Sequence, residues 1–286
     1  MIWQQIVNGI VAGSAYALVA LGYSLIYGVL GLINLAQGEI YMAGAFGLWI
    51  AAAVLGLPLP LAVLFGLLFS AVVGLSMERV VFRPLTGRHP LIPLLAAIGL
   101  SIFLQSVALL AFGPETRPFP LEFEPQLWNL GPVTLSTLQL LLVTTALALM
   151  GGLFWYVHAS RHGQALQAVA MDREAARLVG IKPHQCVAQA FGIGGMLSGA
   201  AGMMMAAYYN ATYPYMGVLP GLKGFCAAVL GGAGSIPGAI LGGLILGLSE
   251  NLGAAYIHSG FKDGYAFAIL IAILLLRPQG LLGKSK

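Results

Sequence analysis

Long apolar runs separated by short polar stretches make up most of this chain. No Asp, Glu, Lys or Arg occurs before Glu39, between Glu39 and Glu78, from His89 to Pro114, or from Pro125 to Ser160. A helix crossing about 30 Å of hydrocarbon needs roughly 20 apolar residues, because its backbone groups must be bonded within the segment. Each gap has room for at least one such helix. Stretches such as Leu138 to Met150 are apolar on every side and lack the alternation of a transmembrane barrel strand. The pattern therefore predicts an all-α, polytopic transmembrane bundle in a single domain, residues 1–286, with about eight spans. They are placed at Ile6–Leu30, Tyr41–Leu57, Leu59–Met77, Leu91–Phe112, Leu135–Val157, Val187–Tyr209, Leu222–Tyr256 and Tyr265–Leu276.

Leu222–Tyr256 is too long for one span. Gly231, Gly232, Gly234, Ser235 and Pro237 interrupt it, and such residues weaken or break helices, so a broken or re-entrant pair is expected. The loop with Arg79, Arg83 and Arg88 is basic, as is the one with Arg161, Arg173, Arg177 and Lys182, and both are expected to be cytoplasmic. Between them, Glu115, Glu122 and Glu124 face only Arg117 and mark an outward loop. Arg277, Lys284 and Lys286 favour a cytoplasmic C-terminus, which requires Leu222–Tyr256 to cross twice or re-enter. The same parity puts the N-terminus outside if Gly31–Ile40 is a simple turn. The apolar stretch from Ile6 continues past any plausible cleavage point, so it is expected to remain as the first span.

Composition agrees, with 59% hydrophobic and 8% charged residues against about 25% charged in a soluble domain. The net charge of +4 resides in short loops and reports orientation, not nucleic-acid binding. Cys186 and Cys226 have no metal or redox spacing and read as packed thiols. The histidines at 89, 158, 162, 184 and 258 form no metalloprotease pattern, and no phosphate-binding G-x-x-x-x-G-K-[ST] loop is present. No cofactor, metal or catalytic group is expected, and any ATP must be bound by another subunit. The glycines at 192, 194, 195, 199 and 202, and at 238, 242, 243 and 247, suit close helix packing. Tyr208, Tyr209, Tyr213 and Tyr215 beside Met203–Met205 read as interfacial anchors.

Two sets of residues stand out. In the longest cytoplasmic segment, about 158–184, Asp172 to Val179 fits a short helix stopped by Gly180. Asp172, Arg173, Glu174, Ala175, Ala176 and Gly180 are its candidate docking residues, the alternative being a plain connecting loop. Within apolar sequence, ionisable groups cost several kcal/mol on insertion scales, so Glu39, Lys223 and Glu250 are functional candidates. With Asn34, Gln37 and Asn251 they are assigned to a translocation path, Lys223 pairing with one of the acids. The bland alternative is an interfacial position or a structural ion pair.

EAARLVG at 174–180 resembles the EAA-type loop of ATP-binding-cassette importer permeases, although Ala190-Phe191 departs from that pattern's later residues. GLINLAQGEIYMAGAF at 31–46 and GLKGFCAAVLGGAGSIPGAILGGLILGLSENL at 221–252 resemble LivH-type branched-chain amino-acid permeases. The resemblance implies a permease in the cytoplasmic membrane of a bacterium or archaeon. Its implied partners are a second, LivM-like permease, two cytoplasmic ATPases, and a periplasmic or lipid-anchored substrate-binding protein. Other amino acids, urea, short amides, or ion-coupled secondary transport are the competing readings.

Overall fold

The computed structural model describes residues 2–119, 126–131, 133–277 and 279–283. Glu122, Glu124, Lys284 and Lys286, which helped orient the sequence, lie outside the described residues. The chain runs through α1 (Ile2–Leu30) and α2 (Gln37–Trp49), the latter extended by a π-helical turn at Ile50–Val54. Next come α3 (Leu59–Met77), a second π-helical turn (Glu78–Phe82), the single turn α4 (Arg83–Leu85) and α5 (Leu91–Phe112). A small antiparallel hairpin of β1 (Leu127–Leu130) and β2 (Val133–Ser136) precedes α6 (Thr137–Ala159), α7 (Arg161–Met171) and α8 (Arg173–Leu178). The chain closes with α9 (Pro183–Tyr209), α10 (Val218–Gly231), α11 (Ile236–Tyr256) and α12 (Lys262–Leu276).

Among the described residues seven helices are long and apolar enough to cross a membrane. The segment predicted as Leu222–Tyr256 is broken where glycine and proline cluster. α10 stops at Gly231, Gly232 and Gly234 take positive φ, and the Ser235 hydroxyl accepts the Gly238 N–H to start α11. With 14 residues, α10 covers about 21 Å and falls short of a span.

A second discontinuity lies at Gly31–Ile40, the segment on whose being a simple turn the outward N-terminus depends. After α1 the chain folds back into the protein, burying Asn34 and Gln37. The Gln37 amide donates to the Gly194 carbonyl at 3.0 Å, and Gly194 lies about 16 Å along α9. α2 thus begins deep in the bundle, and polar side chains there satisfy backbone that no regular helix covers.

The helices are arranged by small-residue packing more than by hydrophobicity. The most apolar windows, in α3 and α5, are largely exposed, whereas the less apolar α1 and α9 windows are 94% and 89% buried. Hydrocarbon is as good a solvent for leucine as protein is, so close backbone approach decides which helices go inside. Along the α1–α11 seam, Gly9 and Gly13 meet Gly243, Leu244, Gly247 and Leu248, and a Cβ at Gly247 would overlap the Gly13 backbone. On α9, Gly199 and Gly202 do the same for Gly44, Ser70 and the Tyr41 backbone.

The bundle has two distinct ends. At one, Gln4 exchanges side-chain hydrogen bonds with the Thr134 backbone, and Arg117 and Thr212 form a two-bond antiparallel bridge. Arg117 also stacks over Trp49, 4.3 Å from the ring centre. At the other, the segment after α12 returns to the end of α10, where the N–H groups of Leu281 and Leu282 donate to the carbonyls of Leu230 and Gly231. Gly28 near the end of α1 meets Gly234, and Phe82 packs on Phe191 early in α9. The basic loops and Arg277 therefore share one end and the Arg117 loop occupies the other.

Gly247→Val, which forces α1 and α11 apart, should lower stability by about 1–3 kcal/mol, the usual cost of overpacking. The measurement is the thermal midpoint of the detergent-solubilised protein. Gly99→Ala, which places its methyl against no neighbouring element, should leave the midpoint unlowered or raise it slightly.

Candidate functional site

The polar residues singled out from the sequence fall into three groups. Asn34 donates to the Gln37 side chain at 3.2 Å, and Gln37 reaches Ser198 at 2.7 Å as well as the Gly194 carbonyl. All are buried, so this group clamps the broken start of α2 to α9. Asn251 is also buried, but its amide donates to the Gly247 carbonyl of its own helix.

Glu39 follows in the first turn of α2. One carboxylate oxygen accepts from Ser101 at 2.9 Å and from Gln105 at 2.8 Å, and the other has no partner. Ser101 and Gln105 stand one turn apart on α5, so Glu39 meets that helix near its middle. Among the described residues it is a buried carboxylate without a cation, whereas Glu78 pairs with Arg83 and Glu250 with Lys223. An α5 that is otherwise mostly exposed is held to the bundle by this contact and by Phe112 stacked on Phe46 at 4.2 Å.

The third group forms around Lys223, on the short α10. Its ammonium donates to Glu250 at 2.8 Å and to the Tyr16 hydroxyl at 3.4 Å, and contacts Asp263 at 2.6 Å. Lys262 approaches Glu250 at 3.6 Å. The predicted pairing of Lys223 with an acid is present, and it joins α1, α10, α11 and α12. A cavity of about 260 Å³ opens beside it, walled by Tyr16, Tyr41, Met205, Tyr209, Tyr213 and Leu219 with the four charged residues. Of the tyrosines read as interfacial anchors, Tyr209, Tyr213 and Tyr215 line this cavity, and Met203–Met205 are buried.

The docking candidates occupy α8. Asp172 is its N-cap, accepting from the N–H groups of Glu174 and Ala175 at 2.8 and 3.0 Å, so its side chain is committed to starting the helix. At the other end Gly180 has φ +86°, Gly180 N–H donates to Arg177 O, and Ile181 N–H donates to Ala176 O. This double closure favours glycine. Ala176 faces inward and is buried, while Glu174 and Ala175 are exposed and Arg173 is half-buried. α7 is tied back to α6 by Gly163, which sits against Val157, and by Gln167 donating to the Val157 carbonyl at 3.1 Å.

Tyr16, Ser101, Gln105, Ser198, Lys262 and Asp263 were not identified from the sequence. Ser101 and Gln105 carried a usable signal, two polar residues at i, i+4 in an apolar run. Lys262 and Asp263 looked like an ordinary loop, and Tyr16 gains meaning only from α10.

Residues 5–276 match the sequence profile of the branched-chain amino acid transport system permease component family. The chain is 41% identical to the high-affinity branched-chain amino acid transport system permease protein BraD of Pseudomonas aeruginosa, covering 99% of this chain and 96% of that one. It is 40% identical to LivH of Escherichia coli, a permease protein of the same description, over the same shares. In structure it resembles a PsaBC chain of Streptococcus pneumoniae, with a TM-score of 0.50 at 14% identity over 95% of this chain and 91% of that one. That likeness concerns the fold alone.

Lys223→Met leaves the buried Glu250 short of its main counter-charge and should cost roughly 3–5 kcal/mol. Lys223→Met with Glu250→Met should recover most of it. Thermal midpoints in detergent check both, and a double variant no better than the single would show that the pair is not what the fold depends on here.

Proposed function

The chain belongs to the family of permease components of branched-chain amino acid transport systems, and on that premise we propose that it forms one half of the channel of an ATP-driven importer. Its cargo is leucine, isoleucine and valine, handed over by a periplasmic or lipid-anchored binding protein. The other half is a second, LivM-like permease, and two cytoplasmic ATPases supply the energy, so this chain carries out no catalysis. The membrane is the cytoplasmic one, with the α8 end inside, in keeping with the basic residues gathered there.

The observation that carries the reading is α8 itself. It is capped at both ends and stands beyond the spans, and Leu178 at its end, Val179 just after it and Met171 at the end of α7 are 89%, 75% and 88% exposed. Apolar side chains presented on a short rigid helix suit the groove of a soluble partner. Closure of the ATPases would move α8 and, through Lys182–Pro183, α9. α9 holds the start of α2 by the Gln37 contacts, so the movement reaches Glu39 and switches the path between the two faces.

The buried carboxylates of Glu39 and Glu250, each with one oxygen lacking a partner, are the features that would suit an ion-coupled secondary transporter instead. Affinity purification of the tagged chain from mild detergent should recover two ATPases and a second permease, with ATP hydrolysis stimulated by a leucine-loaded binding protein. A lone chain that transports without ATP would establish the ion-coupled reading. Leu178→Asp and Gly180→Val should leave the spans intact, release the ATPases and abolish uptake. Parental transport in both variants would remove α8 from the coupling path. Glu39→Gln keeps the shape and the Ser101 and Gln105 contacts, so assembly should be unchanged while leucine uptake falls about tenfold, the worth of one charged hydrogen bond.

A further inference from the structure

The Lys223 cavity holds more charge than a structural pair needs. Fixing α10 to α11 takes only Lys223 and Glu250, both buried. Lys262 and Asp263 are added at the start of α12, each partly open with side chains 38% and 50% exposed, and each reaching one member of the buried pair. The second oxygen of Glu250 has no partner although the residue lines the cavity and is only 1% exposed. Tyr16 sits beside the Lys223 ammonium, which lies 5.5 Å from the centre of its ring.

We propose that this cavity binds the zwitterionic head of a free α-amino acid, its carboxylate on Lys223 and Lys262 and its ammonium on Glu250 and Asp263. The proposal rests on the reading of the chain as an amino-acid importer and gives that importer a substrate site. Two cations and two anions make a neutral cluster. A neutral zwitterion inserted between them keeps every charge compensated, whereas an amine or a carboxylate alone leaves one buried charge short of a partner, which is costly at low dielectric. The remaining walls, with Met205, Met216, Leu219 and Tyr41, suit an uncharged aliphatic side chain. A volume of about 260 Å³ is of the order taken up by small ligands. The cavity thus selects by charge balance at the head and by apolar contact at the tail.

The test uses the intact membrane assembly in lipid nanodiscs, without the binding protein. Binding of radiolabelled leucine is competed by unlabelled leucine, by 3-methylbutylamine, which lacks the carboxylate, and by 4-methylpentanoate, which lacks the ammonium. The parental assembly should prefer leucine over each half-ligand by about tenfold or more, the worth of a charged hydrogen bond. Lys262→Gln should shrink the preference over the amine and keep that over the acid; Asp263→Asn should do the reverse. These positions are partly exposed, so the variants keep the buried pair and should fold. Equal weakening of all three ligands, unchanged ratios, or no leucine binding by the parental assembly would overturn the site. ATP-driven leucine uptake by the same parental assembly with its binding protein separates the two levels. Uptake with unmoved ratios removes only this site, and no uptake removes the importer reading and the site with it.

Discussion

The contact between Lys223 and Glu250 constrains the rest of the molecule. A buried lysine in a membrane bundle is tolerated only against a counter-charge. Here that counter-charge comes from α11 at 2.8 Å, with α1 contributing Tyr16 and α12 contributing Asp263. Four helices are therefore committed to one point. For α10 to present Lys223 there it is short and joined to α11 by a glycine-rich break. For α1 and α11 to come close enough, their shared seam is built of Gly9, Gly13, Gly243 and Gly247.

A similar logic operates at the start of α2, with hydrogen bonds in place of an ion pair. The chain re-enters the bundle after α1, and Asn34 and Gln37 supply the polar partners that an irregular segment in hydrocarbon requires. Glu39 is delivered to the middle of α5 with an incomplete set of partners. The two broken regions thus carry most of the buried polar chemistry, and the largely exposed helices α3, α5, α6 and α12 meet the surroundings. Between them runs α9, which begins beside α8 and holds the re-entrant segment, so it is the element through which movement at one end can reach the other.

Much of this was legible in the sequence because apolar length and charge gaps report spans directly. The break at Gly231–Pro237 followed from residues that cannot continue a helix. Glu39, Lys223 and Glu250 were conspicuous because charge in lipid is expensive, and the helix closed by Gly180 follows from the left-handed conformation that glycine takes. What stayed hidden depended on tertiary proximity. The break at Gly31–Ile40 is marked by glycine, but its path back into the bundle is fixed only when Gln37 finds Gly194. The tyrosines after α9 have the composition of an interfacial belt, and only the fold turns several of them toward a cavity with Tyr16 and Tyr41. Lys262 and Asp263 sit in a polar connection and acquire a role because α12 packs its first turn beside α10.

In the proposed importer, movement at α8 passes through α9 to the start of α2, where Gly38 packs on Gly217 and Gly221 of the α10 region, and so changes access to the Lys223 cavity. The most direct measurement places a single cysteine at Leu219 on the cavity wall, in a chain with Cys186 and Cys226 replaced by alanine. Its modification by a membrane-impermeant thiol reagent is followed in the full assembly, with and without trapped ATP. A rate that changes several-fold when ATP is trapped, with access passing from one side of the membrane to the other, is the result predicted. The same rate from the same side in both states would contradict the account.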